Sequence, residues 1–186
     1  ILVKDKSLSR LQLYSFKLNV LLEITQAINE NLSKDELMKR YEDILRDELN
    51  IGRIIIYKKE EDWSLLLQSG LSQKDEINKI NIDRDFLPIK EITYVTQVDE
   101  PPFRNFDVII PVYNNNVALA FVLIGDIDEE MKGISPIIKH LNFIQTLSNI
   151  VIVAIENIRL YEESLRQEAI RKELELASKM QAMLIP

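Results

Sequence analysis

Two places in this sequence carry side chains that could do acid–base or metal chemistry. His140 is the one histidine of the chain. Imidazole titrates near neutral pH and is a common metal ligand, but either role needs partner carboxylates or imidazoles, and spacing assigns it none. We read His140 as a partly exposed residue near the start of a helix. The run "DIDEE", Asp126 to Glu130, puts four carboxylates within five residues, a set that could hold a hard cation such as Mg or Ca. A short acidic loop ahead of a helix is ordinarily solvated and favours the helix dipole, and we read it so, with no metal site. The chain has no cysteine, which excludes disulfides, thiolate metal sites, cysteine nucleophiles and groups attached through sulfur. With 4 glycines it also lacks the Gly-rich phosphate loops GxGxxG and GxxxxGK[ST].

The elements that could position a site are bounded first by size and charge. A chain of 186 residues with 46% apolar content can bury the core of one ordinary domain and leave an extension. Its net charge of -7, with no clustering of basic groups, argues against nucleic acid. Apolar runs such as "VALAFVLIG" are shorter than the roughly 20 residues of a membrane span, and no signal peptide opens the chain. We expect no membrane contact and a cytoplasmic location. The absence of an initial methionine suggests a piece of something larger.

From Leu11, apolar positions at Leu11, Tyr14, Leu18, Leu21, Ile28 and Leu32, with Thr25 as the weak member, predict a helix with a heptad seam. Ser33 and Glu36 form a capping box for a second helix, whose stripe is Leu37, Tyr41, Ile44, Leu45 and Leu49. "RIIIY" predicts a strand and "DWSLLLQSG" its hairpin partner, with Trp63 packed in the core or at the edge. Residues 71–87 read as loops with a short helix or edge strand. "EITYVTQV" reads as a strand. "DVIIPVYNNNVALAFVLIGD" is a hairpin about Asn114–Asn116, with a bulge or free edge at Pro111 and Ala120–Ile124 placed centrally.

From about Ile137 to Leu184 one helical pattern runs without proline or glycine, on the order of 70 Å at the usual rise, so its distal half should project. Steps of three and four pick out Ile144, Ser148, Val151, Ile155, Ile158, Glu162, Leu165, Ala169, Lys172, Leu176, Lys179 and Met183. Such a seam predicts a left-handed coiled coil with polar residues that set register.

The order helix, helix, hairpin, irregular segment, strand, hairpin, long helix resembles the GAF domain. The likeness is carried by "LLEITQAINENLSKDELMKRYEDIL", "DVIIPVYNNNVALAFVLIGD" and "AIENIRLYEE". It implies an α+β fold: a GAF-like antiparallel sheet with helices packed on one face and a long C-terminal helix extending as a coiled coil. The boundaries are a helical lead-in over 1–14, the GAF-like sensor over 15–163 and a coiled-coil linker over 164–186. GAF-like domains often hold a small ligand between sheet and irregular segment, which makes Arg84, Tyr94, Thr96 and Tyr113 the pocket candidates. Core packing for the tyrosines and a solvated Arg84 is the preferred reading. The family's cyclic-nucleotide signature is absent, and its methionine-sulfoxide reductase chemistry would need cysteines.

The tail "ELELASKMQAMLIP" is similar to the helix that leads into SpoIIE-like PPM-type serine/threonine phosphatases, E-L-x-x-A-x-x-[IM]-Q-x-x-[LM]-[LI]-P. Ala177, Met180, Gln181, Leu184 and Pro186 occupy its places. The resemblance implies a catalytic domain after Pro186 that holds Mn or Mg, and a fragment with no cofactor and no catalysis of its own. The expectation is a sensor that forms a homodimer through its terminal helices and relays a packing change along Ile155, Ile158, Leu165, Ala169, Leu176, Met180 and Met183. The alternatives are a small-molecule receptor with a passive linker, or the input domain of a histidine kinase or diguanylate cyclase.

Overall fold

The computed structural model of the chain describes residues 2–71, 80–95, 105–127 and 140–185. Two compact units divide it, Ile1–Ile152 and Val153–Pro186.

In the first unit, helix α1 spans Leu2–Asn29 and closes on Asn31, whose left-handed φ of 57° lets the Leu32 N–H reach back to the Ala27 carbonyl at 3.2 Å. Helix α2, Lys34–Asp43, starts with the predicted capping box: Ser33 Oγ accepts from the Glu36 N–H, and Glu36 accepts from the Ser33 N–H. It continues into a π-helical turn, Ile44–Glu48, sealed by the Leu49 N–H on the Ile44 carbonyl. The whole predicted stripe, Leu37, Tyr41, Ile44, Leu45 and Leu49, is buried, together with Met38.

A five-stranded antiparallel sheet follows, in the order β2-β1-β5-β4-β3. Its strands are β1 Ile51–Lys59, β2 Trp63–Ser69, β3 Thr93–Tyr94, β4 Val108–Asn114 and β5 Val117–Ile127. The β4–β5 turn uses Asn115 and Asn116, both with positive φ, as a two-residue hairpin requires. β5 is central and Ala120 to Ile124 are fully buried. At Pro111 both expected features occur. The ladder shifts register between Val112 and Tyr113, and β3 reaches only Ile109 and Val108. Of "EITYVTQV", Thr93 and Tyr94 are in strand among the described residues, and Thr96, Gln97 and Val98 lie outside them.

Register separates the two faces of the sheet. Ile54, Ile56, Ile110, Val112, Val122 and Ile124 share one face and are all buried, and Gln145 on the helix after the sheet donates to the Pro111 carbonyl at 3.3 Å. Ile55, Tyr57, Ile109, Phe121 and Leu123 form the other, covered by Ile82 and Phe86 of the short helix α3, Ile82–Asp85, and its C-cap.

Helix α4 spans Leu141–Leu184. An 18-residue stretch of it has mean hydropathy 1.3, long and apolar enough to cross a membrane by composition, but half of it is buried in the protein, as in a core helix. Uninterrupted apolar runs had missed this stretch, because its polar residues are spaced among apolar ones.

The buried residues of α1 are Val20, Ile24 and Ala27, while Leu11, Tyr14 and Leu18 of the heptad seam are exposed, along with Leu8 and Leu22. One expectation is corrected. His140 is not partly exposed: it is 0% accessible, because it lies four residues before Ile144 on the buried stripe of α4 and its carbonyl accepts the Ile144 N–H at 2.9 Å.

Candidate functional site

The face of the sheet that α3 covers is filled by aromatic side chains. Phe121 on the central strand has its ring centroid 5.4 Å from both Phe86 and Trp63, and Phe86 lies 6.0 Å from Tyr57. Offset and tilted contacts of this kind favour a dry, packed interior. Burial pushes the Tyr57 phenol up to about 12. Phe86 and Phe121 close this space; Phe121 falls in the run Ala120 to Ile124 expected to lie centrally, whereas Phe86, a lone phenylalanine after a short polar helix, carries no periodic signal.

The pocket candidates are therefore placed around this cluster and not within one cavity. Arg84 is exposed and pairs with Asp85, Nε to Oδ1 at 2.8 Å. That hydrogen bond holds the Asp85 carboxyl below its ordinary value, helped by the Asn81 N–H. Arg84 lines an open cleft of about 530 Å³ with Lys59, Asp62 and Trp63. Tyr113 lines a different cleft of about 410 Å³, with Lys90, Asn116, Gln145 and Asn149, and its hydroxyl donates to the Ile89 carbonyl at 3.0 Å. Tyr94 is exposed on the two-residue strand β3. Thr96 lies outside the described residues, as do Asp128 to Glu130 of the acidic run. Among the described residues no group of three or more His, Asp or Glu could hold a metal ion.

A buried polar link ties α2 to α4 on the helical face. The Tyr41 hydroxyl and Ser148 Oγ are 2.6 Å apart, and Ser148 Oγ is also 2.6 Å from the Ile144 carbonyl. Ser148 donates to that carbonyl, so Tyr41 donates to Ser148. Burial raises the Tyr41 phenol. A second network runs from Arg46 Nη1 to Ser69 Oγ at 2.5 Å and on to Glu42 Oε1 at 2.7 Å, and fastens the π-helical turn to the end of β2.

In the second unit, Ile155 is 2% accessible and Ile158 half-buried, while Leu165, Ala169, Leu176, Met180 and Met183 are exposed, Leu165 at 53% and Met183 at 85%. Arginines on this helix are engaged within it: Arg166 with Glu163 at 2.7 Å, and Arg171 with Glu168 at 2.6 Å and Glu175 at 2.7 Å.

No protein-family model matches the sequence, and no curated protein matches it either. Solved structures do match. The chain is similar to the GAF domain of a protein from Pseudomonas syringae pv. tomato described as a sensor histidine kinase, with TM-score 0.61, 12% identity, and coverage of 87% of this chain and 99% of that one. It is also similar to the GAF domain of an Acinetobacter phosphoenolpyruvate-protein phosphotransferase, with TM-score 0.56, 14% identity, and coverage of 78% and 95%. A GAF domain/HD domain protein from Geobacter sulfurreducens gives TM-score 0.52, 15% identity, and coverage of 72% and 98%. The fold is therefore GAF-like; these identities speak to the fold alone.

Proposed function

We propose that this chain is a regulatory sensor and dimerisation module that relays a change in helix packing to a PPM-type serine/threonine phosphatase domain. The observation that carries the reading is the continuity of α4. Its first turns are bonded to the sensor through Ser148 and Gln145, and its last turns expose Leu165, Leu176, Met180 and Met183 in a row. Apolar side chains at helical spacing gain about 1.5–3 kcal/mol each when fully buried, and a second, parallel copy of the same helix can bury them. The exposed stripe of α1, with Leu11, Leu18 and Leu22, offers the homodimer a further apolar face.

Supporting the sensor role, GAF domains recur in proteins described as signalling proteins, among them the Pseudomonas match. Supporting the phosphatase as output is the tail, where Ala177, Met180, Gln181, Leu184 and Pro186 fall on the linker pattern. The fragment itself is not catalytic and acts in the cytoplasm; Mn or Mg belongs to the output domain. Two packings of the α4 seam, close in free energy, would be the switch, and the stimulus would act by favouring one of them.

The parent sequence beyond Pro186 tests this reading. An aspartate-glycine pair on an early strand, with Mn- or Mg-dependent phosphatase activity, is the expected result. A histidine-kinase dimerisation box or a diguanylate cyclase in its place would refute it.

A further inference from the structure

A left-handed coiled coil along the distal half of α4 has a cost that its side chains expose. Strict heptad steps from Ile158 pass through Glu162, Lys172 and Lys179, and in a parallel pair each would face its own copy. Three layers of like charge would then be drawn toward a seam that excludes water, where unpaired ions are strongly disfavoured. Steps of three, four and four remove two of them. They run through Ile158, Tyr161, Leu165, Ala169, Lys172, Leu176, Met180 and Met183, and the same residue class returns after eleven positions: Ile158, Ala169, Met180, and then Leu165, Leu176. Lys172 is the one lysine, arginine or carboxylate on this face, and its long stem can lie along the seam while its ammonium reaches water.

We propose that α4 meets its copy in this eleven-residue register, so that the two helices run nearly straight or with a right-handed supercoil instead of a left-handed one. The inference rests on the parallel dimer of the preceding section and specifies its geometry. An eleven-residue repeat corresponds to about 3.67 residues per turn, on the other side of the natural 3.6 from the heptad's 3.5, and this sets the opposite hand. Tyr161, Leu165, Leu176, Met180 and Met183 are all exposed in the single chain, as an unpaired seam must be.

Charge points to a second copy as the occupant. Arg166 and Arg171 are engaged by Glu163, Glu168 and Glu175 on their own helix. From Glu156 to Met180, six carboxylates stand against five cations. The segment is nearly neutral, so it neither repels itself nor calls for a partner of opposite charge. Leu160, Ile170 and Leu174 are also exposed and fall outside this stripe; Ile170 and Leu174, four apart, are neighbours on a second face of the helix, whereas Leu160 stands ten residues before them.

The two registers share Leu165, Ala169, Lys172 and Leu176 and part at Tyr161 against Glu162 and at Met180 against Lys179. Because the chain has no cysteine, single-cysteine variants of the full chain report directly on the seam. Tyr161→Cys, Glu162→Cys, Lys179→Cys and Met180→Cys would each be oxidised under mild conditions and scored for disulfide-linked dimer, with helicity checked by circular dichroism. Tyr161→Cys and Met180→Cys should cross-link several-fold faster than Glu162→Cys and Lys179→Cys. The reverse order, with Leu165→Cys and Leu176→Cys cross-linking well, would overturn the eleven-residue register and leave the parallel dimer standing. Failure of Leu165→Cys and Leu176→Cys to cross-link would overturn the parallel dimer, and this inference with it.

Discussion

The hydroxyl of Tyr41 donates to Ser148 Oγ across 2.6 Å in the buried interior, joining α2 to the first turns of α4 from positions far apart in sequence. The two partners are not equivalent. Ser148 keeps its bond to the Ile144 carbonyl if Tyr41 becomes Phe, whereas the phenol is left without its acceptor if Ser148 becomes Ala. Tyr41→Phe should cost about 0.5–1.5 kcal/mol and Ser148→Ala about 1–3 kcal/mol. Urea unfolding of the two variants would measure the difference. In the double variant the second change should cost less than it does alone.

Alkaline titration follows from the same burial. Of the 6 tyrosines, Tyr57 is pushed up to about 12 by burial, and Tyr41 is raised by the same cause. Their folded values lie above that of an unfolded tyrosine, about 10. The stabilisation that rests on the neutral phenols is therefore whole below pH 10 and, for Tyr57, is lost as pH rises through about 12. Ultraviolet absorbance of tyrosinate gained near pH 12 should coincide with loss of structure and should be smaller in Tyr57→Phe than in the unsubstituted chain.

The aromatic cluster makes a prediction about cavities. Phe86 is fully buried against Tyr57 and Phe121, so Phe86→Ala should cost about 3–5 kcal/mol, seen as a lower unfolding midpoint. Trp63 sits at the edge strand and is half-buried, and Trp63→Ala should cost less.

Backbone geometry at the end of β2 gives a further test. Gly70 has a φ of 71°, and a Cβ there would meet the Gly52 carbonyl oxygen. Gly70→Ala combines a disfavoured conformation, of order 1–3 kcal/mol, with a contact to main chain that has no flexible end to move. Its thermal midpoint should fall clearly.

Much of this architecture was legible where one local rule decides the outcome. The capping box at Ser33 and Glu36 satisfies two backbone donors by itself, and Asn115–Asn116 supplies the two positive φ angles of a hairpin. The central position of Ala120 to Ile124 follows from residues apolar on both faces. The rest depended on tertiary packing. On α1, Val20, Ile24 and Ala27 are buried in the domain while Leu11 and Leu18 of the heptad seam stay exposed, and the local pattern alone does not separate the two stripes. His140 could be placed on the buried stripe only once the phase of α4 was known. Arg84 and Tyr113 were grouped by proximity to an irregular segment, yet they open on different clefts, because Phe86 and Phe121 occupy the space between sheet and α3.

The central claim, that the exposed turns of α4 are covered by a second copy, is tested most directly by light scattering on the full chain and on a chain ending at Tyr161. The account predicts a dimer for the full chain and a shift toward monomer for the shortened one, which lacks Leu165, Ala169, Leu176, Met180 and Met183. Equal dimerisation of the two chains would contradict it.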